Sequence, residues 1–271
     1  MNAKFFEKYR YSLILLRELV ITEFKLRYQG SVLGYLWSLL KPIFLFTILY
    51  FVFVYFLKVG SDIPNWPVAM LLGIVLWTFF AEVTNNGLGS VVARGDMIRK
   101  INFPKYVILL SSSISAFINL LLNFIIIGVF MAISGVELSW SGLLVFWYVF
   151  LLFVFGIGLA FFLSAVYVKL RDMNYIWEII MQAMFYGSAV VYPIVIVLEQ
   201  HAKVGKLILL SPVVDAIQGA RHALIDSANP TLYSITGNVW YSCIPVLIVV
   251  TTVIFGAWYF KRKSPYFAEN I

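Results

Sequence analysis

Apolar runs close to the roughly 20 residues that cross a bilayer recur along the whole chain. They fall at about residues 34–57, 68–88, 106–133, 143–168, 175–197 and 239–260, and predict six transmembrane helices. The third run is long enough to tilt or to extend into water. Pro193 interrupts the fifth near its outer end, and a polar turn, EQHAKVGK, follows. Next come an apolar piece, LILLSPVVDAIQGA, and a polar tail, RHALIDSANP. The apolar piece is too short to span alone. A re-entrant helical hairpin facing outward fits its length, with an interfacial loop as the plainer alternative. Non-helical backbone at membrane depth is tolerated only against protein or a water-filled cavity, so this stretch points to a pathway.

Ahead of the first run, Glu7, Arg10, Arg17, Glu18 and Lys25 share a helical stripe that Ile14 and Ile21 interrupt. Leu13, Leu16, Leu19, Val20, Phe24 and Leu26 lie broadly opposite. The pattern predicts an amphipathic helix in the membrane interface, with a solvated helical tail as the alternative. Gly30 and Gly34 are spaced for a tight turn or close helix contact, and Trp37 follows as an interfacial anchor. The chain reads as one membrane domain over 1–271: an interface helix to residue 33, six helices over 34–260, and a tail, 261–271.

Composition supports this reading. The chain is 62% hydrophobic and 12% charged, about half the charged share of a soluble domain. Its start, MNAKFFEKYRYSLILLREL, lacks the apolar core and small-residue cleavage site of a removable leader. The lone cysteine, Cys243, falls in an apolar stretch and suits a packing role. The net charge of +7 gathers at the edges of the runs, where topology signals sit, so no nucleic-acid partner is expected. With the N-terminus inside, fifteen Lys and Arg residues fall in inner segments. Only Lys58, Lys203, Lys206 and Arg221 fall outside, which predicts cytoplasmic termini.

The chemistry within the spans is sparse. There is no phosphate-cradling Gly-x-x-x-x-Gly-Lys-Ser/Thr loop, and no His-Glu-x-x-His or Gly-x-Ser-x-Gly pattern. His201 and His222 read as surface residues of the outer segment. Lys41 and Glu178 lie within snorkelling reach of the inner edge and Glu82 of the outer one, which does not suggest an ion-coupled pump. Gly156, Ala160 and Ser164 recur every four residues in the fourth run and predict close helix packing. Trp37, Phe44, Phe51 and Tyr55 recur at helical spacing, with Lys41 and Ile48 on the same face. Tyr175, Glu178, Gln182 and Phe185 or Tyr186 form a more polar stripe in the fifth run. Aromatic faces with polar neighbours suit sugar rings; contact with lipid and other helices is the simpler reading. Between the second and third runs, Arg94, Asp96, Arg99, Lys100 and Lys105 interleave with Met97, Ile98, Ile101 and Phe103. Such a segment could offer apolar knobs to a partner, or could be a basic loop that only sets topology.

Three separated stretches resemble one family. FKLRYQGSVLGYLWSLLKPIF is similar to the opening of ABC-2 type permeases that export cell-surface polysaccharides and teichoic acids. MIRKINFPKYVILLSS resembles that family's coupling element and the start of its third span. GSAVVYPI followed by LLSPVVDAIQGARHALI resembles its fifth span and outer re-entrant gate, with Ser211 before Pro212 where Asn is common. The resemblance implies an all-α membrane protein in the bacterial inner membrane, acting as a homodimer with two copies of a separate ABC ATPase. That partner would bind ATP and magnesium, leaving no cofactor in this chain. The implied substrate is a glycan (O-antigen, capsule or teichoic acid type) linked through diphosphate to a polyprenyl lipid. The implied ATPase-coupling residues are Arg94, Asp96, Met97, Ile98, Arg99, Lys100 and Phe103. Lys25, Arg27 and Lys41 would attract the diphosphate, and Tyr28 would orient it. Trp37, Phe44, Phe51, Tyr55, Gln182, Phe185 and Tyr186 would line the glycan path. Three alternatives share parts of this pattern: an ABC-2 exporter of drugs or simple lipids, an ion-coupled flippase, and an enzyme acting on polyprenyl lipids. The scattered acids give the enzyme no cluster to work with.

Overall fold

The computed structural model describes residues 3–270 apart from Tyr28, Asn102 and Leu138, and side chains from Arg10 onward except that of Arg27. All regular structure among the described residues is helical. In chain order the helices are α1 (Ala3–Arg27), α2 (Leu36–Leu49), α3 (Trp66–Ala93), α4 (Gly95–Lys100), α5 (Tyr106–Ile133), α6 (Leu144–Tyr167) and α7 (Met173–Gly187). There follow α8 (Ile194–Gln200), α9 (Ala202–Leu209), α10 (Pro212–Leu224), α11 (Leu232–Thr236), α12 (Val239–Lys263) and α13 (Phe267–Asn270). A π-helical stretch, Tyr50–Phe56, continues α2, and a 3-10 turn, Trp140–Leu143, leads into α6. The π stretch reads YFVFVYF. Every side chain in it is aromatic or β-branched, the types that crowd the preceding turn of a regular α-helix.

Among the described residues, five segments are long and apolar enough to cross a bilayer: Leu36–Phe56, Trp66–Ala93, Tyr106–Ile133, Trp140–Tyr167 and Val239–Asn270. This is a multi-pass membrane protein. The fifth expected span, 175–197, is not continuous. α7 has 15 residues, about 22 Å of helix, against the roughly 30 Å of a hydrocarbon core. The helix stops at Gly187, upstream of Pro193, and Ala189 sits at φ +50°. A non-glycine residue in this left-handed region carries local strain, and proline is only one part of the break.

The core is built around α3, buried along most of its length from Trp66 to Val91 and packed by α5 on one side and α6 on another. Small residues set these distances, as the sequence predicts. A Cβ at Gly156 would lie 2.9 Å from Val83 Cγ1, and one at Gly87 would overlap Ala160. A second close crossing, which the fourfold pattern does not signal, joins α6 to α12 at Gly158 and Gly256. Cys243 is exposed on α12, so the packing role expected of it is not found.

Leu19 of α1, Ile98 of α4, Val107 of α5, Phe260 of α12 and Phe267 of α13 form a separate apolar cluster at one end of the bundle, here the near side. At the other end Ala189, Ile194, Leu209, Val214 and Leu232 form the far-side cluster. Leu13, Ile14 and Leu26 of α1 stay exposed alongside Arg17 and Lys25.

Arg221 locks the far side. Sequence reasoning counts it among four outer topology charges, yet its side chain is wholly buried. Its Nε donates to Ala69 O at 2.9 Å, Nη1 to Ala189 O at 2.9 Å and Nη2 to Val190 O at 2.5 Å. The guanidinium also lies 4.9 Å from the Trp66 ring centroid. The break after α7 leaves carbonyls without helical donors, and Arg221 supplies them. Gly73 makes the room, since a Cβ there would collide with the guanidinium.

Candidate substrate and coupling sites

The vertical placement of α2 sets the geometry. Ser38, near its start, accepts from Asn123 Nδ2 at 3.3 Å. Asn123 lies roughly 25 Å along α5 from Tyr106. Phe46 meets Phe130 further up, with ring centroids 5.6 Å apart. α2 therefore begins well above the near ends of α3 and α5, and Trp37 stands partway up the bundle rather than at its edge. The near part of α5 is packed by α1 instead.

Beside the start of α2 lies a polar cavity of about 690 Å³ between α2, α3 and α5. Trp37, Lys41, Glu82, Asn86, Asn119 and Asn123 line it. Sequence reasoning puts Lys41 and Glu82 at opposite membrane edges, and the structure corrects this. The two sit about equally far back from the turn joining α2 to α3, so antiparallel helices bring them level. Asn119 Nδ2 donates to Glu82 Oε1 at 2.7 Å, and Asn123 Nδ2 to Asn119 O at 2.8 Å. Of the other proposed headgroup residues, Lys25 is exposed on α1. Tyr28 and the Arg27 side chain lie outside the described residues.

The aromatic candidates fall on two helices that both pack on α3. On α2 and its π-helical continuation, Phe44, Phe51 and Tyr55 are exposed, with Phe51 and Tyr55 rings 6.0 Å apart. On α7, Gln182 and Tyr186 are exposed, while Trp177 and Met181 anchor the helix in the core. Phe185 is half-buried, 5.7 Å from the Trp77 ring and 5.2 Å from that of Tyr186. Phe185 apart, neither stripe is covered among the described residues.

The segment between α3 and α5 divides into an inner and an outer face. Ile98 and Phe103 are buried in the near-side cluster and Met97 packs against it, so these apolar residues are not free knobs. They anchor the segment to α1, α5 and α13. The helical period explains the difference from the sequence reading: in so short a helix the apolar side turns toward the bundle. Arg94 Nη2 lies 3.4 Å from Glu23 Oε2 and ties the segment to α1. Lys105 Nζ donates to Ser264 O and lies over the Phe267 ring at 5.7 Å. Its pKa is lowered from the ordinary lysine value by burial. Asp96, Arg99, Lys100 and Ile101 face outward. The exposed surface is therefore mostly charged, and the segment that carries it is tied to the tail and to α1.

Comparison with known proteins agrees with this architecture. Residues 14–225 match the family described as ABC-2 type transporter. The chain is 28% identical over 208 residues to the O-antigen export system permease protein RfbA of Myxococcus xanthus, covering 77% of this chain and 78% of that one. It is 32% identical over 192 residues to the protein of the same name from Klebsiella pneumoniae, covering 68% and 73%. It is 23% identical over 218 residues to the polysialic acid transport protein KpsM of Escherichia coli, covering 78% and 81%. A match over most of the chain, together with five apolar spanning helices around a common core, means that this protein belongs to the ABC-2 type transporter family of membrane permeases.

Proposed function

We propose that this chain is the channel-forming subunit of an ATP-driven exporter of cell-surface polysaccharide, carried as a glycan on a polyprenyl diphosphate. The observation that carries the reading is its likeness to permeases named for two different surface polysaccharides, O-antigen and polysialic acid. On this reading two copies pair in the inner membrane with two ABC ATPase subunits, and the near side is cytoplasmic. α7 with the broken segment after it acts as the remaining crossing, and α8 to α10 form the outward re-entrant hairpin. The uncovered stripes on α2 and α7 then face one another or the partner copy and offer rings to passing sugars. Lys25, Arg27 and Lys41 draw in the diphosphate, with Tyr28 orienting it.

The coupling half of the proposal is tested by co-purification with the cognate ATPase. A stable two-plus-two complex is expected. Arg99→Glu with Lys100→Glu should weaken it about tenfold, the effect of losing roughly 1.4 kcal/mol of charge contact. Both side chains point outward, so the fold should persist. A permease that purifies alone with every candidate ATPase would overturn the assembly.

The substrate half is tested by export of a lipid-linked glycan into vesicles. Arg27→Ala with Lys41→Ala should cut the rate at least about tenfold, since each charge-assisted hydrogen bond to a diphosphate contributes roughly 1.5–3 kcal/mol. Undiminished export would place the headgroup elsewhere. A wild-type complex that moves drugs or simple lipids but no glycan would replace the reading altogether.

A further inference from the structure

The cavity between α2, α3 and α5 holds hydrogen-bonding capacity that the protein does not use. Asn119 and Asn123 are 4% and 6% exposed. Their amide nitrogens are committed to Glu82, to Ser38 O and to Asn119 O. Their amide oxygens, Asn119 Oδ1 and Asn123 Oδ1, have no partner among the described residues, and neither does Asn86 Nδ2. Leaving buried groups unpaired costs roughly 1–3 kcal/mol each. Three on the wall of one cavity mark a place kept for a ligand.

The donor set narrows what that ligand is. A metal cation is disfavoured by the Lys41 ammonium and the Asn86 N–H in the same cavity. A phosphate is disfavoured by the Glu82 carboxylate and the two amide oxygens. A neutral ring bearing several hydroxyls satisfies all of them, because each hydroxyl both donates and accepts. Trp37 on the lining supplies a flat apolar face for its C–H side. The volume of about 690 Å³ falls within the range of small-molecule sites, roughly 300–1,000 Å³.

We infer that this cavity is a sugar-binding subsite that holds one ring of the exported glycan. Asn119 Oδ1 and Asn123 Oδ1 accept from its hydroxyls and Asn86 Nδ2 donates to one. The inference rests on the polysaccharide reading above and adds to it a site within a single subunit, at the end of the α2 aromatic stripe that Trp37 begins. Lys41 on the same lining places a diphosphate within reach of the first sugar, so the cavity would distinguish a glycosylated carrier from a bare one.

The test uses the full permease–ATPase complex in nanodiscs and two probes: polyprenyl diphosphate bearing one hexosamine, and the same lipid without sugar. The wild type is expected to bind the sugar-bearing lipid about tenfold more tightly. Asn119→Leu with Asn123→Leu should remove that preference while leaving affinity for the bare lipid in place. Asn86→Ala, whose side chain makes no hydrogen bond among the described residues, should reduce the preference about threefold. It decides the matter alone should the double variant fail to assemble. A wild type that binds both lipids equally, or variants that keep the preference, would mean a cavity filled by water only and would overturn the inference. Equal loss of both lipids would also overturn it, by showing that the asparagines serve the headgroup or the fold. In either case continued glycan export would leave the proposed function standing, whereas a wild type that neither binds nor exports the glycan would remove the function itself.

Discussion

Arg221→Met is expected to lower stability by roughly 3–5 kcal/mol, the cost of stripping the charged partner from a buried polar network. On melting in detergent that corresponds to a fall on the order of 10 °C. The argument rests on what is left behind. Three carbonyls, from Ala69 on α3 and from Ala189 and Val190 in the break, lose their donor at a depth where water does not replace it. Methionine keeps the volume and forfeits the donors. Arg221→Lys should recover little, because one ammonium cannot serve three acceptors spread as a guanidinium fork requires. Thermal unfolding of both variants beside the wild type checks this. Wild-type melting of Arg221→Met would mean that another group serves those carbonyls.

Gly256→Val should be comparably damaging, by about 3 kcal/mol or more, the upper part of the range for overpacking. A Cβ at Gly256 would overlap the Gly158 carbonyl, and one at Gly158 would stand 3.0 Å from Val253 N. Both neighbours are backbone, so no rotamer change relieves the clash and α6 and α12 must part. Association of helices in lipid has no hydrophobic drive to oppose that separation, since lipid tails are as apolar as the side chains. Gly128 in α5 provides the contrast: nothing lies within 4 Å of a Cβ there, and Gly128→Val should melt close to wild type. Equal melting of the two variants would show that α6 and α12 are not in close contact.

What the sequence made legible follows from period and length. Five of the six apolar runs became spanning helices, because hydrophobicity over about 20 residues is a one-dimensional property. The close approach of α6 to α3 was readable from Gly156 and Ala160 at helical spacing. The partnership of Gly158 with Gly256 was not, because nothing in either helix alone names its neighbour. Arg221 was misread for a related reason. Charge counting assumes that a basic residue outside a span is wet, and only the fold shows three carbonyls from distant segments converging on it. The asparagines of α5 carry no signal beyond polarity in an apolar run, although Asn119 and Asn123, four residues apart, share one face of the helix. The sequence groups Ile98 and Phe103 with the α4 segment but leaves open whether they face a partner, and the structure turns them inward. A six-residue helix carries too few positions to reveal which face is covered.

Because α2 starts high on α5, Lys41 and Glu82 stand partway into the electric field across the membrane rather than at its surface. A full crossing is worth about 2.3 kcal/mol per elementary charge at 100 mV. A group held in their cavity has already traversed part of that drop. On the proposed orientation, with the near side cytoplasmic and negative, a diphosphate held by Lys41 beside a sugar in that cavity runs downhill over the remainder as it leaves. Each turnover would then draw on membrane voltage as well as on nucleotide, and the share would grow with the charge of the cargo.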